Sequence, residues 1–227
     1  MANSALIKSS LARKYWMAAS GLFLIIFLTQ HFTINFLSVF SEDAFNNASH
    51  FMGTNPLVQF IAQPILLIGV LFHFIMGFVL EIQNRKARSQ KYAHNSPAAN
   101  SSWMSRNMII TGIMVLLFLG LHFYDFWIPE IKTKYLNGDM SGLSADGSYR
   151  YYEELVHKFV DPIRVGIYIL SFIFLSLHLL HGFQSAFQSL GARHPKYTPL
   201  VKKLGNLFAI AIPLGFIVIA LYHHLAH

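Results

Sequence analysis

Long apolar runs broken by short polar patches dominate the chain, and five of them reach the roughly 20 residues that a helix needs to cross a hydrocarbon layer about 30 Å thick. They fall near Tyr15 to Phe40, Leu57 to Ile82, Met108 to Ile128, Ile163 to Phe187 and Leu204 to Tyr222. Asn55 before Pro56, and Asp161 before Pro162, each read as an N-cap followed by proline at the first helical position. Pro129 is expected to end the third span, while Pro64 and Pro213 lie inside spans two and five and are expected to kink them. The first run is too long for a cleavable signal, carries Gln30, His31 and Asn35, and lacks a small-residue cleavage site after it, so it is read as retained. The pattern predicts an all-α integral membrane protein, one membrane domain over residues 1–227.

Charge then orients the spans. Lys8, Arg13 and Lys14 precede span one; Arg85, Lys86, Arg88, Lys91 and Arg106 separate spans two and three; Arg193, Lys196, Lys202 and Lys203 separate spans four and five. Glu42, Asp43, Glu130, Asp139, Asp146, Glu153, Glu154 and Asp161 occupy the opposite side. The positive-inside rule therefore predicts a cytoplasmic N-terminus and an external C-terminus. The longest connection, Pro129 to Asp161, reads as an external loop with a short helix around Tyr151 to Phe159. No internal repeat, phosphate-binding glycine loop or nucleophile motif stands out.

Composition excludes several classes. Only 12% of the 227 residues are charged, against about 25% in an ordinary soluble domain. The net charge of +7 sits in patches between spans, which argues for a membrane surface and against nucleic acid. With no cysteine, disulfides, thiolate metal sites and thiol catalysis all drop out.

Histidine carries the chemistry. Of twelve, His31, His73, His122 and His178 fall deep inside spans one to four, one apiece, where ionisable side chains are rare and usually functional. At 1.5 Å per helical residue, His31 and His122 lie about 24 to 26 Å from the basic face, and His73 and His178 about 18 to 22 Å or less. In an up-and-down bundle of spans one to four, one and three are diagonal neighbours, as are two and four. Each pair of imidazoles can then face across the core and take both sides of a flat cofactor. A zinc site would want three or four ligands. A proton relay would want carboxylates at mid-depth, whereas Glu81 and Asp125 are read as lying near helix ends. Two bis-histidine haems fit better, with spans one to four wrapped around them.

Gly77 and Gly182 each lie four residues after the inner histidine of their span, on its own face, and are expected to make room for a porphyrin edge. His181 is the rival to His178; the shared spacing to glycine favours His178, with His181 as a supporting donor. His50, His94, His157, His194, His223, His224 and His227 are read as solvated.

On Phe27-Leu-Thr-Gln-His31-Phe-Thr-Ile-Asn35, the single histidines 73 and 122, and His178-Leu-Leu-His-Gly182-Phe-Gln-Ser185 followed by Gly191, the chain resembles the cytochrome b558 membrane anchors of succinate:quinone oxidoreductases (succinate dehydrogenases and fumarate reductases), single-subunit and two-haem in type. The resemblance covers nearly the whole chain. It implies two haem b groups, with His73 and His178 as iron ligands of the cytoplasm-proximal haem and His31 and His122 as those of the distal one. It further implies an FAD-containing flavoprotein that does the dicarboxylate chemistry, an iron–sulfur subunit on the cytoplasmic face, quinone (menaquinone for two-haem members) as substrate, and a bacterial cytoplasmic membrane. Some fumarate reductase anchors carry a glutamate two residues before the fourth ligand; here Ser176 stands there, so that proton route is not carried over.

Arg164, Tyr124, Lys14 and Arg85 are candidates by depth for propionate partners, and Gln30, Gln59, Gln63, Glu42 and Asp43 lie on the outer side where quinone could bind, with no assignment made. The competing readings are a haem anchor of a hydrogenase or formate dehydrogenase, and a histidine-lined metal transporter.

Overall fold

A computed structural model describes residues 9–87, 107–192 and 194–226. Lys8, Arg88, Lys91, His94, Arg106, Arg193 and His227 lie outside the described residues. The regular elements are helices: α1 (Ser10–Leu37), α2 (Glu42–Thr54), α3 (Gln63–Ala87), α4 (Met108–His122), α5 (Ile128–Ile131), α6 (Tyr151–Phe159), α7 (Pro162–Ser189) and α8 (Thr198–Ala226). A lone antiparallel bridge joins Leu143 to Tyr149. Among the described residues, five continuous helical stretches are long and apolar enough to cross a membrane: Leu11–Leu37, Val58–Lys86, Met108–Leu136, Pro162–Ser189 and Thr198–Ala226. These are spans one to five below.

The helix starts follow side-chain chemistry. Ser9 accepts from the Ala12 amide at 3.0 Å, Ser41 from Ala44 at 3.2 Å, and Asp161 from Ile163 at 2.9 Å with Pro162 next in line. Asn55 likewise accepts from the Leu57 amide at 2.9 Å. Span one ends at Leu37, short of the expected Phe40, because the chain turns through Ser38 to Phe40 into α2. α2 was not foreseen; its Ser41 cap and the Glu42 and Asp43 of its first turn complement the helix dipole.

Pro129 does not end span three. The helix runs on to Leu136, because a π-helical turn at Phe123–Trp127 precedes the proline and shifts the ladder, the Ile128 amide bonding to the Phe123 carbonyl five residues back. A π turn widens the helix where a proline ring would otherwise strike the preceding turn. The same arrangement recurs in span two, where the π turn Val58–Ala62 comes just before Pro64. α6 spans Tyr151–Phe159, where a short helix was expected.

Spans one to four form a four-sided bundle. Span one packs on two and four, span three on four and less closely on two, so that one and three, and two and four, stand diagonally. Span five lies against spans four and one. The most tightly packed core sits where spans four and five meet α2 and α6, around Phe45, Leu155, Phe159, Tyr168, Phe172, Phe216 and Ile219. The outside is apolar: Ile26, Ile68, Leu117 and Ile163 are 63–73% exposed. Water does not tolerate such a surface over five full-length helices, and a bilayer does. The chain is a multi-pass membrane protein.

Candidate functional site: two imidazole pairs in the bundle

The bundle brings the four deep histidines together in two pairs. His31 of span one faces His122 of span three, ring centroids 5.7 Å apart with planes at 84°. His73 of span two faces His178 of span four at 6.4 Å and 74°. Both pairs lie across the diagonals. His178, and not His181, is the ring opposite His73.

Aromatic rings wall the first pair. Phe27 stacks on His31 from one turn earlier at 5.4 Å, Phe118 lies against His122 from the equivalent position at 5.8 Å, and Phe216 of span five closes on His31 at 5.8 Å. The second pair is held by hydroxyls. Ser20 Oγ lies 3.1 Å from His73 Nδ1, and Thr111 Oγ1 lies 3.4 Å from His178 Nδ1. Glycine gives each ring its seat: a Cβ on Gly21 would meet His73 Cε1 at 3.3 Å, and one on Gly112 would meet His178 Cε1 at 3.5 Å. Gly77 and Gly182 face Met17 and Met108 instead, at ordinary van der Waals distance.

These contacts expose a repeat that the apolar pattern hides. Met17-x-x-Ser20-Gly21, then Phe27-Leu28 and His31, match Met108-x-x-Thr111-Gly112, Phe118-Leu119 and His122, every position 91 residues on. His73 with Gly77-Phe78 matches His178 with Gly182-Phe183. Spans one and two thus repeat as spans three and four, and each imidazole pair joins equivalent residues of the two halves. The signal is present in the sequence, but as small residues within apolar helices, where serine and glycine usually mean close packing.

The donor set decides what could be held. Among the described residues no three His, Cys, Asp or Glu side chains gather as a metal ion would require. Two opposed imidazoles from diagonal helices are a donor set that suits an iron whose other ligands come from a porphyrin. His122 Nδ1 is buried with no hydrogen-bond partner.

Other expected residues have their own partners. Asp125 is no helix-end carboxylate: with span three continuing to Leu136, it lies buried one turn beyond His122, accepting from Tyr168 Oη at 2.9 Å and pairing with Arg164 at 3.5 Å. Arg85 pairs with Glu81 at 2.6 Å, and Tyr124 is exposed on span three. Gln59 donates to the Met52 carbonyl, and Gln30 lies 3.4 Å from Met52 Sδ. Three histidines read as solvated are not. His223 is fully buried with Nε2 2.9 Å from Ser38 Oγ, His224 Nδ1 lies 2.9 Å from the Phe159 carbonyl, and His50 stacks on Tyr149 at 4.4 Å. Ser38, α6 and Tyr149 lie against them.

The end of the bundle away from the basic patches is built on ions. Lys134, 2% exposed, pairs with Glu130 at 2.7 Å and donates to the Gly53 carbonyl; Arg150 bridges Glu130 and Glu154. Burial and the Glu130 carboxylate push the Tyr151 hydroxyl up to about 12, so it stays protonated beside them.

Comparison with known proteins turns up a distant relative. Over 161 residues the chain is 24% identical to the succinate dehydrogenase cytochrome b558 subunit of Bacillus subtilis (strain 168), covering 70% of this chain and 69% of that protein. The chain resembles a succinate dehydrogenase cytochrome subunit. No family model matches it, and neither does any solved structure.

Proposed function

We propose that this chain is the dihaem cytochrome b anchor of a succinate:quinone oxidoreductase, passing electrons between an iron–sulfur subunit on the cytoplasmic side and quinone in the membrane. The observation that supports it most is the meeting of four imidazoles as two opposed pairs, at two levels of one bundle, in a chain similar to a succinate dehydrogenase cytochrome subunit. His73 and His178 would hold the haem nearer the basic face, and His31 and His122 the farther one. When bound, two haems supply reversible one-electron transfer, which divides a layer about 30 Å thick into shorter steps.

The chain's own part is to fix and to shield. With both histidines of a pair holding its haem, the iron would supply electron transfer without binding oxygen or substrate. Phe27, Phe118 and Phe216 exclude water from the outer pair. Gly77 and Gly182, one turn from His73 and His178, face only the ends of Met17 and Met108, flexible side chains that could make way for a porphyrin edge. The succinate–fumarate chemistry would lie on an FAD-bearing partner, and menaquinone is the quinone proposed.

The purified complex should show a b-type reduced-minus-oxidised spectrum with two haems per chain. His178→Ala should lose one haem and His181→Ala should keep both. Colourless protein, or an intact pair in His178→Ala, overturns the assignment. A co-purifying flavoprotein supports the succinate complex; a nickel enzyme in its place would make this the anchor of another respiratory complex.

A further inference from the structure

Each inner-pair histidine meets a hydroxyl that is already engaged. Ser20 Oγ lies 2.9 Å from the Met17 carbonyl as well as 3.1 Å from His73 Nδ1. Thr111 Oγ1 lies 2.9 Å from the Met108 carbonyl and 3.4 Å from His178 Nδ1. A hydroxyl has one hydrogen, and a contact between two oxygens at that distance needs it there. Toward the imidazole the oxygen can only accept, so the ring nitrogen facing it carries the hydrogen. The arrangement occurs twice, at equivalent positions of the two halves.

The outer pair has no such device. Asn35 Nδ2 donates to the His31 carbonyl at 2.8 Å and lies 3.4 Å from His31 Nδ1, offering that ring a donor, and His122 Nδ1 has no hydrogen-bond partner. The contrast shows that a hydroxyl at the ring is no general requirement of a histidine in this bundle.

We propose that Ser20 and Thr111 are positioning residues that lock His73 and His178 in the tautomer with hydrogen on Nδ1 and the lone pair on Nε2, and thereby set the potential of the metal that Nε2 holds. The inference rests on the reading of these histidines as haem ligands. An imidazole whose N–H is given to an acceptor is the stronger electron donor at its other nitrogen. It favours the oxidised metal and lowers the midpoint potential. Relaying the bond to a helix carbonyl keeps the hydroxyl from turning round.

The test is a reductive titration of haem absorbance in the purified whole complex, comparing the wild type with Ser20→Ala, Thr111→Ala, Ser20→Thr and Thr111→Ser. Each alanine variant should raise the midpoint of the same haem and leave the other unmoved, while both exchanges stay at the wild-type value. Loss of that one haem in an alanine variant, restored by the exchange at the same position, supports the same conclusion. The proposal is overturned if alanine variants holding both haems keep the wild-type midpoints, or if the exchanges shift or lose haem as the alanines do. A wild-type complex without haem would instead sink the ligand reading on which this rests.

Discussion

At the scale of single residues, the four histidines are legible because an imidazole at membrane depth is costly and is seldom kept there without a function. Their pairing follows from helix direction and residue rise alone, and His31 does face His122 as His73 faces His178. Ser20, Gly21, Thr111 and Gly112 are not legible, since a small residue in an apolar helix has no distinguishing chemistry until something is seen against it. Asp125 is misplaced from sequence because its depth depends on where the helix ends. The tightest glycine seat is testable: a methyl group at Gly215 would overlap the Phe32 ring. Gly215→Ala should destabilise the packing of span five on span one by about 1–3 kcal/mol, seen as a lower thermal midpoint in detergent. Gly120, with open space around it, should accept alanine without such a loss.

At the scale of elements, capping chemistry locates Asn55-Pro56 and Asp161-Pro162 correctly, because these signals act within three residues. Breaking signals are less reliable. Pro129 carries the usual mark of a helix end, but the π turn that accommodates it has no single-residue signature, and the helix gains two more turns. Those turns place Lys134 in the ion cluster with Glu130, inside what reads as a loop. Glu130→Gln leaves the buried Lys134 ammonium without its carboxylate, which should cost about 3–5 kcal/mol. Limited proteolysis between spans three and four should speed up accordingly. Lys134→Met added to Glu130→Leu should recover the part of the loss that falls on Lys134, while Arg150 keeps Glu154 as its partner.

At the scale of the whole molecule, five spans are countable from hydropathy, and the membrane reading follows from an apolar exterior. The orientation rests on the basic patches and is open to a direct experiment that the cysteine-free sequence makes clean. Ser141→Cys, in the connection between spans three and four, should react with an impermeant maleimide added outside cells, and Asn84→Cys, at the basic end of span two, only after permeabilisation. The reverse pattern would invert the topology. The matched contacts of the two halves carry a consequence for ancestry. His31 and His122 are twins, as are His73 and His178, so an axis relating the two halves would pass between the rings at both levels. A chain of only the first two spans, self-associated about that axis, would offer the same four imidazoles. Duplication and fusion would then have freed each copy to diverge, one of them becoming, together with its neighbour across the join, the surface on which the fifth helix settled.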